Sequence, residues 1–298
     1  AQASGAIQDI FENHKRDQIY LLTTPPYVEL FKKNPFISNV ILDKRLSRFN
    51  LIYLYFLMRR IKKLNIKKVY DLQNSTRTKF YQRILFPKSN SSIWSSTYTT
   101  LPEGKTKAEF DNSSVLSRFD YQLKTSGINT KHTMLPNFTW ACSDISKIKH
   151  EYNLKNYIVL LPFCSSHLSK KKWPYFNELI DLIKKRYQNS YDILVAPSSL
   201  EINEAKKINA SCILNNKKAL NISELASLIK DSSLVVGNDT GPSHMAAHLN
   251  VKGLTLFGSH TTAHKVSIER ENFKAIQVSN LEKLSPEKVF DYLIKILK

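Results

Sequence analysis

Short apolar runs alternate with amphipathic stretches along most of the chain. Runs such as Ile19–Thr23, Val40–Leu42 and Val69–Leu72 are bounded by polar residues, which is typical of buried strands. Between them, apolar residues recur at helical spacing, as in Tyr27–Lys33 and Leu51–Leu64. Because strands that alternate with helices pair in parallel, the pattern predicts an α/β fold with parallel sheets.

The alternation is interrupted twice. Between Ser89 and Thr106 the signals fade into Ser, Thr, Pro and Gly, which predicts a loop. A polar, proline-bearing passage from Gly127 to Asp144 predicts the connection between a domain 1–140 and a domain 141–298. We expect two Rossmann-like, doubly wound domains facing each other across a cleft, since 298 residues exceed one ordinary core. The strands predicted in the second domain are Tyr157–Leu161, Ile193–Ala196, Leu234–Val236, Gly253–Phe257 and Ala275–Val278, and its helices are Pro174–Tyr187, Leu200–Ala210, Ile222–Lys230 and Pro286–Leu297.

Charge and composition limit the classes of molecule that the protein could bind. The formal net charge is +19, from 44 Lys and Arg against 25 Asp and Glu, so phosphorylated sugars, anionic lipid and nucleic acid all qualify as partners. No nucleic-acid motif is present and aromatic residues do not interleave with the basic runs, so we expect no nucleic-acid partner. Three widely spaced cysteines predict neither a disulfide framework nor a zinc site, and they fit a reducing cytoplasm. The longest apolar run, near Leu51–Met58, is too short to span a bilayer.

The strongest candidate site is a strand–turn–helix at Val235–His248. Leu234–Val236 supply the strand, Gly237–Gly241 the turn, and Pro242 suits the first helical position because it lacks an N–H. The free N–H groups of such a helix start bind anions, so we expect a phosphate above this turn. The alternative is a capped helix with a packed histidine. The candidate ligand-binding residues are Asn238, Asp239, Thr240, Gly241, Ser243 and His244, of which Gly241, Ser243 and His244 would offer backbone N–H groups.

A second strand end, Leu160–Pro174, has similar chemistry. Ser165 and Ser166 offer hydroxyl groups, and one lysine of Lys170–Lys172 is expected to turn inward toward an anion while the others stay solvated. Trp173 is expected to be a packing anchor rather than a stacking platform.

A third strand end lies in the first half of the chain. The strand Val69–Leu72 and the turn after it present Asp71, Gln73, Asn74 and Ser75, followed by Arg77, and such a set would hydrogen-bond a sugar or an acidic acceptor. The alternative is that Asn74 or Ser75 only caps the next helix.

Several other classes of site are disfavoured. The chain has no Gly-x-Gly-x-x-Gly, no Gly-Lys-Ser/Thr loop and no Gly-x-Ser-x-Gly elbow, which argues against a dehydrogenase, a P-loop kinase and a serine hydrolase. His244 and His248 have the spacing of metal ligands, but the sequence offers no third ligand, and the same holds for His260 and His264. We therefore expect no metal site.

These residues resemble the heptosyltransferases of lipopolysaccharide assembly, glycosyltransferase family nine. The resemblance covers nearly the whole chain and is most specific in the second half. It is carried by the strand-Pro-x-x-Ser loop with Lys-x-Trp-Pro at Lys171–Pro174, Ser-Glu-Leu-Ala at Ser223–Ala226, Asn-Asp-Thr-Gly-Pro-Ser-His at Asn238–His244, Phe257-Gly258-Ser259, and Tyr70-Asp71-Leu72-Gln73.

The resemblance implies a GT-B fold and a metal-independent, inverting transfer. A nucleotide-sugar donor, ADP-heptose or a relative, would bind the second domain, and the first would hold an anionic lipid A or inner-core acceptor. No cofactor is expected, and the implied protein is a cytoplasmic monomer in transient contact with the inner membrane of a Gram-negative bacterium. By position, Thr240, Gly241, His244, Lys171 and Ser165 or Ser166 would meet the diphosphate, Asp239 the donor sugar, Glu201 the ribose, and Leu220 the base, with Lys171 and Asp239 as catalytic residues.

One feature of the family is missing. Its members open with a strand that ends in a Gly-Asp loop, whose aspartate is thought to act as general base. Aligning Gln2–Gly5 with the following segment places that loop just before Ala1. We expect a fragment of a longer enzyme that lacks the first strand of its N-terminal domain; the alternative is an impaired enzyme.

Two other functions remain open. A nonenzymatic basic protein would bind anionic lipid or nucleic acid with strong salt dependence and no selectivity for a nucleotide sugar. A nucleotide-sugar epimerase of similar architecture would alter the donor without an acceptor.

Overall fold

The computed structural model describes residues 1–86, 93–164, 170–188 and 190–297. The chain forms two compact units, one of residues 3–136 and one of residues 137–298 together with residues 1–2. Each unit alternates strands and helices, and all strand pairs are parallel, as the hydrophobic pattern predicts. Among the described residues, no helix is both long and apolar enough to cross a bilayer.

Within residues 3–86 and 93–136, the N-terminal unit has two separate sheets of two strands each. Strand β1 pairs with β2, with Tyr20 opposite Asn39, and β3 pairs with β4, with Lys68 opposite Ile93. The strands are β1 (Tyr20–Thr23), β2 (Asn39–Leu42), β3 (Lys68–Tyr70) and β4 (Ile93–Ser95), and the helices are α1 (Ser4–Asn13), α2 (Pro25–Lys32), α3 (Leu51–Lys62), α4 (Thr76–Leu85), α5 (Lys107–Phe110) and α6 (Val115–Thr125).

The prediction of a continuous loop between Ser89 and Thr106 is wrong in part. The segment contains β4, whose three residues are too few to show any periodicity in the sequence.

Helices cover these sheets and form two apolar clusters. Helices α1 and α6 pack around Ala6, Leu116 and Leu123, while α3 and α4 pack around Leu57 and Tyr81. A buried carboxylate also anchors α1. Asp9 accepts hydrogen bonds from the backbone N–H groups of residues 131–133, so this turn is tied to the helix.

The C-terminal unit is built on one six-stranded parallel sheet. Its strands are ordered β10-β9-β8-β5-β6-β7, which is the order of a dinucleotide-binding domain. The doubly wound prediction is therefore confirmed for this unit. The strands are β5 (Tyr157–Leu161), β6 (Asp192–Val195), β7 (Ser211–Cys212), β8 (Leu234–Asn238), β9 (Gly253–Phe257) and β10 (Phe273–Gln277), and the helices are α7 (Ser146–Glu151), α8 (Phe176–Tyr187), α9 (Ile202–Ala205), α10 (Ile222–Lys230), α11 (Gly241–His248), α12 (Ala263–Val266) and α13 (Pro286–Leu297).

The strand order determines where a ligand can bind. The chain reverses its winding direction between β5 and β8, which are neighbours in the middle of the sheet. At such a switch point the loops after the two strands diverge and leave a crevice outside their carboxyl ends. The two strand ends singled out in the second half of the sequence, after Leu161 and after Asn238, are the two that meet there.

Candidate active site

A buried carboxylate, Asp239, lies at the centre of the loops at the switch point. Lys171 Nζ donates to its Oδ2 over 2.8 Å. His260 Nε2 lies 2.9 Å from the same oxygen, and His244 Nε2 lies 3.2 Å from Oδ1. Asp239 itself is only 5% exposed. The three nitrogens come from the loops after β5 and β9 and from the start of α11, so one side chain connects three segments.

The donors keep this carboxylate ionised. Burial alone would raise the pKa of Asp239, but hydrogen bonds from His244, Lys171 and His260, together with the charge of Lys171, hold the pKa well below its usual range. Because an ionised carboxylate only accepts hydrogen bonds, both histidines present Nε2–H to it.

A buried amide holds the loop after β5 against the turn after β8. Asn238 Oδ1 accepts from the backbone N–H of Trp173 at 3.0 Å, and Asn238 Nδ2 donates to the carbonyl of Pro162 at 2.8 Å. Trp173 is fully buried and donates from its indole N–H to Leu284 O, so it is a packing anchor, as expected. Asn238 was predicted among the ligand-binding residues, and the structure instead places it in the scaffold under the site.

The start of α11 differs in detail from the expectation. Gly241, not Pro242, is the first helical residue. The backbone N–H of His244 is not free, because it donates to Thr240 O at 3.2 Å. The hydroxyl of Ser243 faces inward and donates to Asn238 O at 2.6 Å, which removes it from the list of side-chain ligands.

What remains at this helix start still fits an anion. Within the described part of the chain, the N–H groups of Gly241 and Ser243 have no hydrogen-bond acceptor. Thr240 precedes the helix, but its side chain forms no cap, and its buried Oγ1 has no partner in the described ranges. A Cβ added at Gly241 would meet nothing within 4 Å, so the space next to this turn is open. Two backbone donors and one buried hydroxyl thus lie at a helix start that has open space beside Gly241.

The side chains of Lys170–Lys172 point in different directions, as expected. Lys171 turns inward to Asp239, whereas Lys170 and Lys172 are exposed and Lys172 forms an ion pair with Glu204. Ser165 and Ser166, predicted beside Lys171, lie outside the described residues.

The two residues predicted near the nucleoside belong to the C-terminal unit. Glu201 accepts from the backbone N–H of Ser198 at 2.9 Å, just before α9. Leu220 is half-buried in the turn before α10. No hydrogen bond among the described residues joins Glu201 to the cluster around Asp239, and both assignments stay predictions.

The candidate acceptor residues belong to the N-terminal unit. Asp71 Oδ1 accepts from the backbone N–H groups of Gln73 and Asn74, at 3.0 and 2.9 Å, so this carboxylate closes its own turn. Burial raises its pKa, although the bonds from Asn74, Thr78 and Gln73 oppose the shift. Ser75 caps α4 in a reciprocal capping box with Thr78, as the alternative interpretation proposed. The side chain of Gln73 is exposed.

The histidines with metal-ligand spacing have different partners. His244 contacts Asp239, while His248 Nδ1 lies 3.4 Å from Arg270 Nη2. Burial, with the nearby charge of Arg270, lowers the pKa of His248 to about 2.

Comparison with known proteins identifies the family. A model described as glycosyltransferase family 9 (heptosyltransferase) matches residues 57–291. The chain belongs to glycosyltransferase family 9. It is thus a member of a family of sugar transferases, and the resemblance noted from its motifs is confirmed. No curated protein matches the chain in sequence.

Solved structures confirm the fold expected for this family. The chain is similar to ADP-heptose lps heptosyltransferase II of E. coli, with a TM-score of 0.72 and 14% identity over 99% of this chain and 94% of that one. A family 9 glycosyl transferase of Veillonella parvula gives 0.78 and 12%, over 99% and 92%. The E. coli heptosyltransferase WaaC, solved with ADP, gives 0.70 and 15%, over 99% and 95%. The predicted GT-B class of α/β fold is thereby confirmed.

Sequence reasoning missed one member of this family 9 site, His260. The residue follows β9, and its ring stacks on Phe257 with 5.9 Å between centroids. Its Nδ1 and that of His244 are buried without a partner in the part of the chain that is described. Only the strand order could have found His260, because β9 lies beside β8 in the sheet and brings this loop to Asp239.

Proposed function

We propose that this chain transfers a heptose, or a related sugar, from a nucleotide-sugar donor to an acceptor of the lipopolysaccharide-core or lipid A type. The donor best supported by the family is ADP-heptose, and transfer would invert the anomeric carbon without a metal ion. One observation supports the proposal most strongly. The hydrogen-bonded cluster around Asp239 lies beside the start of α11, at the switch point of the six-stranded sheet.

The diphosphate of the donor would bind at the start of α11. The N–H groups of Gly241 and Ser243 and the hydroxyl of Thr240 are donors without acceptors, and the positive end of the helix dipole adds to their field. Lys171 lies in the same cluster, so its ammonium group would shift from Asp239 alone to a position shared with a phosphate oxygen.

The same groups would act on the transition state. An acceptor hydroxyl attacks the anomeric carbon, the bond from that carbon to the diphosphate breaks, and the nucleoside diphosphate leaves with the electron pair. Lys171 and the helix start would stabilise the negative charge that develops on the leaving group. These fixed positive charges supply the role that a metal ion would otherwise have.

Asp239 would hold this arrangement and meet the donor sugar. It orients Lys171 and the two imidazole rings, and its oxygens would accept hydrogen bonds from sugar hydroxyl groups. The proton of the acceptor hydroxyl would pass to a general base as the bond to the anomeric carbon forms.

We also propose where the reaction takes place. An acceptor built on a lipid would bring the protein to the cytoplasmic face of the inner membrane of a Gram-negative bacterium. The excess of positive charge supports this assignment, because that surface and the acceptor both carry phosphate groups.

The donor site can be tested by calorimetric titration with ADP-, UDP-, GDP- and CDP-sugars. We expect one base to be preferred. Lys171→Ala and His244→Ala should each weaken donor binding by about tenfold or more, since the first removes a donor to the diphosphate and the second removes a side chain that orients Asp239. Lys170→Ala is the matched control, because its side chain is exposed beside the same loop.

Unchanged donor affinity in both variants would reject the assigned site. The two other functions predict different results. Conversion of the donor in the absence of any acceptor would indicate an epimerase. Binding that depends on salt but does not distinguish among the nucleotide sugars would indicate a nonenzymatic basic protein.

A further inference from the structure

Helix α3 of the N-terminal unit has apolar side chains on two opposite faces. The inner face, with Leu54, Leu57 and Ile61, is buried against α4. The outer face begins with Ile52 and Phe56, which are 72% and 60% exposed. Isolated exposed apolar residues are ordinary, but a contiguous exposed apolar face marks an interaction surface. Tyr55 and the flanking Phe49 and Leu51 extend it.

The same outer face becomes basic toward the end of the helix. Arg59, Arg60 and Lys63 follow Ile52, Tyr55 and Phe56 at spacings of three and four residues, so all six lie along one side. No ion pair within the described residues involves these three cations. An apolar half and an uncompensated basic half therefore share one exposed surface, which we call the α3 face: Ile52, Tyr55, Phe56, Arg59, Arg60 and Lys63.

The surrounding sequence carries no negative charge at all. Between Lys44 and Tyr70 there is neither Asp nor Glu, although the formal composition of the whole chain includes 25 of them. The nearest carboxylate in sequence, Asp43, is buried and accepts hydrogen bonds from Tyr53 and Tyr81. The basic residues of the stretch are Lys44, Arg45, Arg48, Arg59, Arg60, Lys62, Lys63, Lys67 and Lys68.

We propose that the α3 face docks on the surface of an anionic phospholipid bilayer. In that position Ile52, Tyr55 and Phe56 enter the boundary between headgroups and acyl chains, and the basic half of the face meets lipid phosphates. The helix of 12 residues has a length of about 18 Å and lies in the plane of the interface rather than across it.

The charge distribution favours a bilayer over a second copy of the chain. A symmetric contact between two α3 faces would bring two acid-free, basic surfaces together, and like charges oppose such an interface. An anionic membrane satisfies both halves of the face at once. The inference rests on the membrane contact of the proposed function and names the surface that makes it. Lipid binding is measured without any sugar donor, so the α3 face can fail this test while the donor site holds, and the reverse.

Flotation of the full chain with vesicles tests the proposal. We expect binding to vesicles that mix phosphatidylcholine with phosphatidylglycerol, weaker binding to phosphatidylcholine alone, and a decline as salt screens the cations. Removing two cations by Arg59→Gln with Arg60→Gln is expected to lower the partition coefficient about 30-fold. Phe56→Ser is expected to lower it about tenfold or more, since it removes a buried aromatic side chain from the lipid phase.

Matched controls come from exposed positions of the other unit. Lys206→Gln with Lys207→Gln removes the same charge, and Leu200→Ser removes a side chain that is 96% exposed; neither should change partitioning by more than about twofold. Circular dichroism and thermal unfolding check that each variant is folded. Equal binding to both kinds of vesicle, or equal losses in the α3 and control variants, would overturn the proposal. So would a change of sedimentation coefficient in Phe56→Ser without a change in flotation, which would assign the face to a second copy.

Discussion

Asp239 is a buried carboxylate that stays ionised because its oxygens are fully partnered. It is almost fully buried, and it accepts hydrogen bonds from three nitrogen-bearing side chains, one of which is a lysine. The ion pair of Asp239 and Lys171 is stable because each charge offsets the desolvation penalty of the other. The loss of either residue therefore leaves an uncompensated charge. Arrival of a diphosphate would change this balance, since Lys171 would then face two anions. The residue therefore links the stability of the empty site with its affinity for an anion.

We expect Asp239→Asn to lower the free energy of unfolding by about 1–3 kcal/mol at neutral pH, because Lys171 loses its charged partner. A carboxyl group whose pKa is lowered by folding stabilises the protein above its ordinary pKa of 3.8, and this contribution is lost as pH falls toward the folded value. The difference between the two proteins should therefore shrink in acid. Urea unfolding at neutral pH and below 3.8 measures it.

The control for this substitution is Asp192→Asn at the exposed start of β6, which we expect to change stability by less than about 0.5 kcal/mol at either pH. An Asp239→Asn difference that stays constant with pH would contradict an ionised carboxylate in the folded protein.

At the scale of elements, the site depends on how closely β5, β8 and α11 approach one another. Gly237 of β8 pairs with Leu161 of β5, and Ser243 of α11 reaches back to the end of β8. A Cβ at position 237 would come within 2.5 Å of the Leu161 Cβ and 3.0 Å of the Ser243 Oγ. In contrast, a Cβ added at Gly241, four residues later, would meet no atom within 4 Å. Gly237 therefore allows β5, β8 and α11 to pack closely, whereas Gly241 leaves space for a ligand beside the start of α11.

This difference predicts opposite results for the two alanine variants. Gly237→Ala should lower the free energy of unfolding by about 1–3 kcal/mol, because neither neighbour can move without shifting a strand or a helix. Gly241→Ala should leave stability within about 0.5 kcal/mol and weaken donor binding, because the new methyl group occupies the open position. Urea unfolding and calorimetric titration of both variants measure the two effects. Similar stability losses in both, or unchanged binding in Gly241→Ala, would contradict these assignments.

At the scale of the whole molecule, the two units differ in how completely their sheets are covered. Every residue of β5, β8 and β9 is buried, whereas β1 and β3 are half-buried, with Leu22 of β1 36% exposed. A parallel sheet is stabilised by apolar burial on both faces, so a two-stranded parallel sheet with half-exposed strands contributes little stability.

Native-state hydrogen exchange of the full chain should separate the two units. We expect amides of β5, β8 and β9 to exchange only through global unfolding of the C-terminal unit, while amides of β1 to β4 exchange through openings of lower free energy. Addition of an ADP-sugar should slow exchange further in the C-terminal unit, because a ligand stabilises the state that binds it. Equal protection in both units would contradict the expectation.

The sequence predicted much of this fold because its signals are local. Helices α10 and α13 and strands β5 and β9 match the predicted bounds, since each carries a complete run of the right period. Strand β7, with two residues, is too short to leave a signal. Helix α9 covers only Ile202–Ala205 of the predicted Leu200–Ala210, because the residues that follow form turns.

The sequence predicted which residue types form the candidate site, but it did not predict which of them contact one another. The strand–turn–helix around Asp239 and the inward lysine follow from residue types and spacing within single segments. The partners of Asp239 do not, because Lys171 and His260 are distant from it along the chain and close to it only through the order of strands.

The amino-acid sequence by itself determined the alternation of strands and helices, the strand–turn–helix around Asp239, and the family, because these depend on residues that are neighbours along the chain. Only the tertiary structure decided that β5 meets β8, that Asn238 and Ser243 face inward, that His260 joins Asp239, and that α3 leaves an apolar face exposed. The physical reason is that burial and pairing at these positions are set by packing between segments far apart in sequence, which no local period records.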